Sequence, residues 1–357
     1  MFQQEAELAQ LRHGLSNKQP VPQPAKEHHC SLFFGKSPTM NAPATSTSFS
    51  VCKSIILVYL CPLSRSLAQI FFSSNSLTGL LFFVAFALYD LDMALMVILG
   101  ALAAIFSSKV TDGEKNSVAL GMQGFCGALV GAAAFASLGS GEVSALISVI
   151  GGIATIPVAK GIGLLFNLPS LRHFNLPCLT VPFCTVSGVM LIATTKPHQG
   201  QAPIGPVNEQ FIGYFLHAVL SGISEVVLVD SALTGGIILA GLFIAQWKMG
   251  LAALLGAAFE SMASILLRET GTPIHLGLTG YNGVLVAIAL GTVFIAGKWI
   301  PWLVALGALF LLLPVSSLVE LLGIPTYTWP FVLTTWLSLV IVSFVPGVSR
   351  TQEQPVA

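Results

Sequence analysis

Apolar runs separated by short polar breaks fill this chain from residue 53 to residue 346. With a spanning length of ~20 residues, the pattern predicts membrane helices at about 53–72, 77–106, 118–137, 143–167 and 177–194. After a break it predicts a second series at about 211–229, 232–246, 249–267, 277–296, 299–322 and 331–346. The break, 196–210, is rich in Pro, Gly, Gln and charged residues and reads as a solvated linker. Residues 1–50 are polar, rich in Pro, Ser, Thr and Gln, and are expected to be disordered. Met40 is a second candidate for the translation start, and residues 347–357 form a C-terminal tail.

The two series are copies. Asn75-Ser76-Leu77-Thr78-Gly79 recurs as Ser231-Ala232-Leu233-Thr234-Gly235, 156 positions on (75 to 231). The same register carries Gly121–Gly131 onto Gly277–Ala287 without a gap. Leu176-Pro177-Cys178-Leu179-Thr180-Val181-Pro182-Phe183 recurs 148 positions on (176 to 324) as Ile324-Pro325-Thr326-Tyr327-Thr328-Trp329-Pro330-Phe331. The chain therefore divides into a first repeat, 51–195, and a second, 211–346. A duplicated membrane protein places its site between the halves. The glycine-rich segment 121–131 and its copy are the candidates for interrupted, cavity-facing backbone. Odd crossings per half would invert the halves and even crossings would make them parallel; the pattern leaves both open. Loop charges nearly balance and give no orientation.

Composition agrees with membrane residence and narrows the function. Only 8% of the 357 residues are charged and 54% are hydrophobic, against about 25% charged in soluble proteins. Long apolar runs, not ~10-residue alternating strands, exclude a barrel. Zero net charge gives no case for nucleic acid. The six cysteines show no CxxC spacing and read as small core residues. No HExxH motif points to an intramembrane enzyme. His217 and His275 stand singly, so neither a metal nor a cofactor is expected.

A few polar residues fall at membrane depth. Gln69 and Glu225 occupy equivalent places in the last turns of the first spans, with Phe72 and Leu228 three positions on, so each pair is expected to share a helix face. An intramembrane carboxylate marks a functional site, unless Glu225 sits at a helix end and reaches water. No second carboxylate is read beside it, which argues against ion coupling. Thr180 and Thr328 each sit in Thr-x-Pro-Phe. Either they satisfy carbonyls freed by the prolines, or the duplication brings them together at mid-membrane. Phe125 and Tyr281 are equivalent and either line a slot or face lipid and core. Glu260, Glu320, Arg268, Glu269 and Lys298 read as segment ends or headgroup anchors.

Taken together, Asn75–Leu80, Gly280-Tyr281-Asn282-Gly283-Val284-Leu285-Val286 and the Leu-Thr-Val-Pro-Phe stretch ending at Phe183 resemble the urea transporter family of bacteria and vertebrates, over about residues 60–346. The resemblance implies an all-α polytopic protein with an inverted repeat of five transmembrane helices plus one tilted half-helix per half. It implies a homotrimer in the cell membrane, for a bacterium the inner membrane, with a selective pore in each protomer and passive, channel-like urea transport. Gln69 and Glu225 match amide-binding positions near the filter ends. Phe72, Phe125 and Tyr281 match the aromatic slot, and Thr180 and Thr328 match the central constriction. The chain departs from the pattern at Leu228, where a second slot phenylalanine is expected, at Tyr281 for phenylalanine, and at Cys126 for the asparagine kept at Asn282. The alternative from the residues is a passive pore for another small neutral solute, a short amide or ammonia.

Overall fold

Side-chain caps fix where some of these apolar helices begin. The computed structural model describes residues 60–111, 120–194, 211–267, 278, 280–323 and 325–351. Among them are twelve α-helices. The first repeat holds α1 (Cys61–Gln69), α2 (Ser76–Tyr89), α3 (Leu91–Val110), α4 (Phe125–Leu138), α5 (Glu142–Phe166) and α6 (Val181–Thr194). The second holds α7 (Phe211–Glu225), α8 (Ala232–Ala245), α9 (Trp247–Leu266), α10 (Tyr281–Ile288), α11 (Ile300–Leu321) and α12 (Trp329–Ser343). Asn75 caps α2 by accepting from Leu77 N at 2.9 Å, and Ser231 caps α8 by accepting from Thr234 N. Side-chain oxygens at these positions satisfy amides that the helix leaves unpaired.

The span expected at 77–106 is broken. Asp90 is extended (φ −160°, ψ 129°) and separates α2 from α3, its carboxylate accepting from Asp92 N and Met93 N. Gln246 makes the same break between α8 and α9 (φ −163°, ψ 125°). The long apolar runs on either side hide the first break: averaged over a spanning length of ~20 residues, Asp90 and Asp92 do not end the span. Four helices, α3, α5, α9 and α11, are long and apolar enough to cross a membrane. At 14 residues, α2, α4 and α8 are each ~21 Å long, short of a ~30 Å hydrocarbon core. The chain is an all-α polytopic membrane protein.

The repeat extends to contacts. A Cβ on Gly100 would lie 2.1 Å from Gly127 O, and one on the equivalent Gly256 would lie 2.2 Å from Gly283 O. Backbones of α3 and α4, and of α9 and α10, thus touch at the same point in each half. The glycine-rich segment does interrupt the expected helix at 118–137: α4 starts only at Phe125, after Gly121 at φ +83°. Between halves, α2 packs on its own counterpart α8, with Thr78 Oγ1 donating to Gly241 O at 3.0 Å. Of the cysteines, Cys126 and Cys184 are buried, while Cys30 and Cys52 lie outside the described residues.

Residues 349–351, assigned to the tail, pair with the turn after α10. Ala296 N donates to Ser349 O and Thr351 N to Phe294 O, at 2.9 and 3.1 Å. Arg350 then reaches the carbonyls of Phe174 and Asn175.

Candidate functional site

Two corners, one per half, shape the ends of the site. At the end of α1, Phe72 N donates to Gln69 O (3.0 Å) and Ser73 N to Ala68 O (3.2 Å). At the end of α7, Leu228 N donates to Glu225 O (2.9 Å) and Val229 N to Ser224 O (3.3 Å). This is the helix-ending motif that glycine usually closes, because its turning residue is left-handed. Here the turning residues are Phe72 (φ 63°) and Leu228 (φ 62°). Left-handed backbone costs an L-residue roughly 1–2 kcal/mol. Strain kept in both copies, where glycine would relieve it, points to side chains held for function. Gln69 and Glu225 are thus the last residues of their helices. The expectation that Phe72 and Leu228 share a helix face with them is corrected: both lie beyond the helix.

The centre is a pair of equivalent residues. Thr180 and Thr328, both buried, join hydroxyl to hydroxyl at 2.7 Å. Cys184 Sγ lies 3.1 Å from Thr328 Oγ1. A residue meets its own counterpart only near a two-fold axis, so the polar centre lies between the halves. The capping alternative fails. Pro182 and Pro330 stand in the first turns of α6 and α12, where the missing N–H frees no carbonyl. The residues just before the threonines repeat the left-handed strain, Leu179 at φ 51° and Tyr327 at φ 36°.

Aromatic rings pack around this centre. Phe72 meets Phe331 and Phe294 edge-on, with ring centres 6.1 and 5.9 Å apart. Phe183 meets Tyr327 at 5.1 Å. Tyr281 donates its hydroxyl to Tyr327 O at 2.7 Å. Asn282 Oδ1 accepts from Phe331 N at 3.2 Å, so the start of α10 is tied to the start of α12 twice. The first half is less polar here: Phe125 has no hydroxyl, and Cys126 Sγ lies 3.9 Å from Leu179 O. Gln69 Nε2 donates to Leu120 O at 3.2 Å. Glu225 is half-buried, within electrostatic reach of exposed Asp230. Phe125 and Leu228 pack against the core. Among the described residues no hydrogen bond joins Gln69 to Glu225, or either to the threonine pair.

One carboxylate was misread. Glu260 is no headgroup anchor: it is buried in α9, and its Oε2 accepts from Gly283 N, in the first turn of α10, at 2.6 Å. Its oxygen takes up an amide that the start of the helix leaves unpaired. The first half holds Ala104 at this place, so the repeat gave no signal for it. Glu260 is also the second buried carboxylate that the sequence pattern did not show. Glu320 and Lys298 are exposed at helix ends, as expected; Arg268, Glu269 and His275 lie outside the described residues. His217 Nδ1 lies 3.4 Å from Ser221 Oγ. Cys184, Phe294 and Phe331 complete the surroundings of the site. Only Phe331 had a sequence signal, the Thr-x-Pro-Phe repeat.

Duplicated corners, duplicated helix contacts and a shared central hydroxyl pair define a polytopic membrane protein built from two homologous halves with its polar centre between them. The chain belongs to the urea transporter family, which residues 61–343 match. It is similar to Urea transporter 1 of Mus musculus, 27% identical over 84% of this chain and 81% of that protein. It is likewise similar to Urea transporter 1 of Ovis aries, 27% identical over 80% and 78%, and to that of Rattus norvegicus, 26% identical over 84% and 81%.

Removing the Glu260 carboxylate strands a buried amide. Glu260→Ala is expected to lower stability by ~1–3 kcal/mol, and Glu260→Gln, which keeps an acceptor, by less. Thermal melts of the purified protein in detergent check the order; equal melts for all three forms would contradict the capping role.

Proposed function

We propose that this protein is a channel-like urea transporter that carries urea passively, down its gradient, through a pore in each protomer. The observation that carries the reading is the Thr180–Thr328 contact at the junction of the halves, in a chain of the urea transporter family. Both the family and the relatives name urea, and no observation favours the short amides or ammonia.

The chemistry suits the solute. Urea is planar and neutral, with four N–H donors and one carbonyl. Rings set edge to face leave flat walls, which a hydrated ion does not fit. Threonine hydroxyls donate to the urea carbonyl and accept its amide protons. Each exchange trades one neutral hydrogen bond, worth ~1 kcal/mol net, for another, so passage meets no deep well. Glu225 and Gln69 supply amide acceptors at the two ends. The half-helix lengths and the two-fold contact of equivalent residues support an inverted repeat with its axis in the membrane plane. We further propose a homotrimer in the cell membrane, the inner membrane if the source is bacterial. Glu260 accepts from Gly283 N and braces the start of α10, a structural role that accounts for this buried carboxylate without ion coupling.

Urea flux in liposomes is expected to follow the urea gradient and to ignore imposed proton or sodium gradients; accumulation against a urea gradient would reject the reading. In the same vesicles, Glu225→Gln retains an acceptor and is expected to keep much of the flux, whereas Glu225→Leu loses most of it. Near-normal flux in both would show that Glu225 does not meet the solute, and equal loss in both would show that its charge is required.

A further inference from the structure

We propose that the Tyr281 hydroxyl takes an amide acceptor away from the solute, so that the carbonyls beside the threonine pair serve urea from the Leu179 side. The inference rests on reading the Thr180–Thr328 contact as the centre of the urea path. Leu179 and Tyr327 are equivalent, both left-handed, and each immediately precedes one threonine of the pair. The threonines' own carbonyls are taken up by Cys184 N and Val332 N, so those of Leu179 and Tyr327 are the next backbone acceptors in sequence, but they are not equally available. Tyr327 O receives the phenol O–H of Tyr281 at 2.7 Å. Among the described residues Leu179 O has only the thiol of Cys126, at 3.9 Å, and a thiol is a weak donor. The residue equivalent to Tyr281 is Phe125, which has no proton to give. A carbonyl has two lone pairs; the phenol occupies one at Tyr327 and leaves a weakened acceptor for an amide N–H.

The second half uses its other polar residue structurally as well. Asn282 Oδ1 is engaged by Phe331 N, while its equivalent Cys126 leaves the first half without a strong donor or acceptor at that place. The halves are thus alike in backbone and unlike in free hydrogen-bonding capacity. Tyr281 acts through Tyr327 and is a positioning residue for the path. It trades one solute contact for a fixed link between α10 and α12.

The test is urea flux against concentration in liposomes for the wild type, Tyr281→Phe and Phe125→Tyr. Phenylalanine already stands at the equivalent place in the first half, so Tyr281→Phe has a precedent within the fold. Freeing Tyr327 O is expected to lower the half-saturating urea concentration about fivefold, the worth of one net hydrogen bond. Phe125→Tyr, which offers a phenol to Leu179 O, is expected to raise it by a similar factor. A purely structural role would lower the maximal flux per folded protein and leave half-saturation in place. Half-saturation that is unchanged or raised in Tyr281→Phe would overturn the inference, the latter showing that the phenol oxygen itself accepts from urea. Wild-type vesicles that carry no urea would instead overturn the transport reading on which it rests.

Discussion

In hydrocarbon, every backbone amide and carbonyl must find its partner inside the protein, and this constraint explains where the chain is permitted to break. The helices stop at Gln69 and Glu225 and restart at Val181 and Trp329. At each stop the freed groups are satisfied locally, by the paired bonds that close the corners at Phe72 and Leu228. At the Trp329 restart they meet side chains from α10, Asn282 for Phe331 N and Tyr281 for Tyr327 O; at Val181 the thiol of Cys126 lies 3.9 Å from Leu179 O. Among the described residues, four of the helix ends made this way meet at the junction between the halves, and the polar centre lies there. Four bulky residues held left-handed there, Phe72, Leu179, Leu228 and Tyr327, are the energetic cost of presenting side chains where glycine would turn more easily.

The duplication supplies the scaffold and leaves the chemistry asymmetric. Gly100 on Gly127 and Gly256 on Gly283 make the same backbone contact twice. Around that contact the second half has acquired polar residues: Glu260 for Ala104, Tyr281 for Phe125, Asn282 for Cys126. Glu260 fixes the start of α10 against α9, and Tyr281 and Asn282 fix it against α12. One half is braced by hydrogen bonds where the other relies on packing. A solute crossing the junction meets a tied wall on one side and a less committed one on the other.

Much of this was legible in the sequence because duplication samples each position twice. The membrane class, the family resemblance and the threonine pair all follow from apolar runs and repeated motifs, while the linker expected at 196–210 lies outside the described residues. What stayed hidden had no second copy or no hydropathic mark. Glu260 faces Ala104 in the repeat, and its burial depends on a helix N-terminus that forms only in the fold. Asp90 and Asp92 interrupt the apolar run, but averaged over a spanning length they leave it apolar, and the cap at Asp90 forms only in the fold. Phe72 and Leu228 looked helical from their spacing, since an i+3 interval does not reveal that the backbone has turned left-handed between them. Cys184 reads as a small core residue until the fold sets its thiol against Thr328.

Passage of urea between the halves depends on the contact between the two threonines. Replacing Thr180 or Thr328 with valine keeps the side-chain shape and removes the hydroxyl, and urea flux through the reconstituted, folded protein reads the result. The account predicts that each valine variant melts close to the wild type yet loses most of its flux. Normal flux in both variants would place the solute path elsewhere and leave the threonine pair a structural bond.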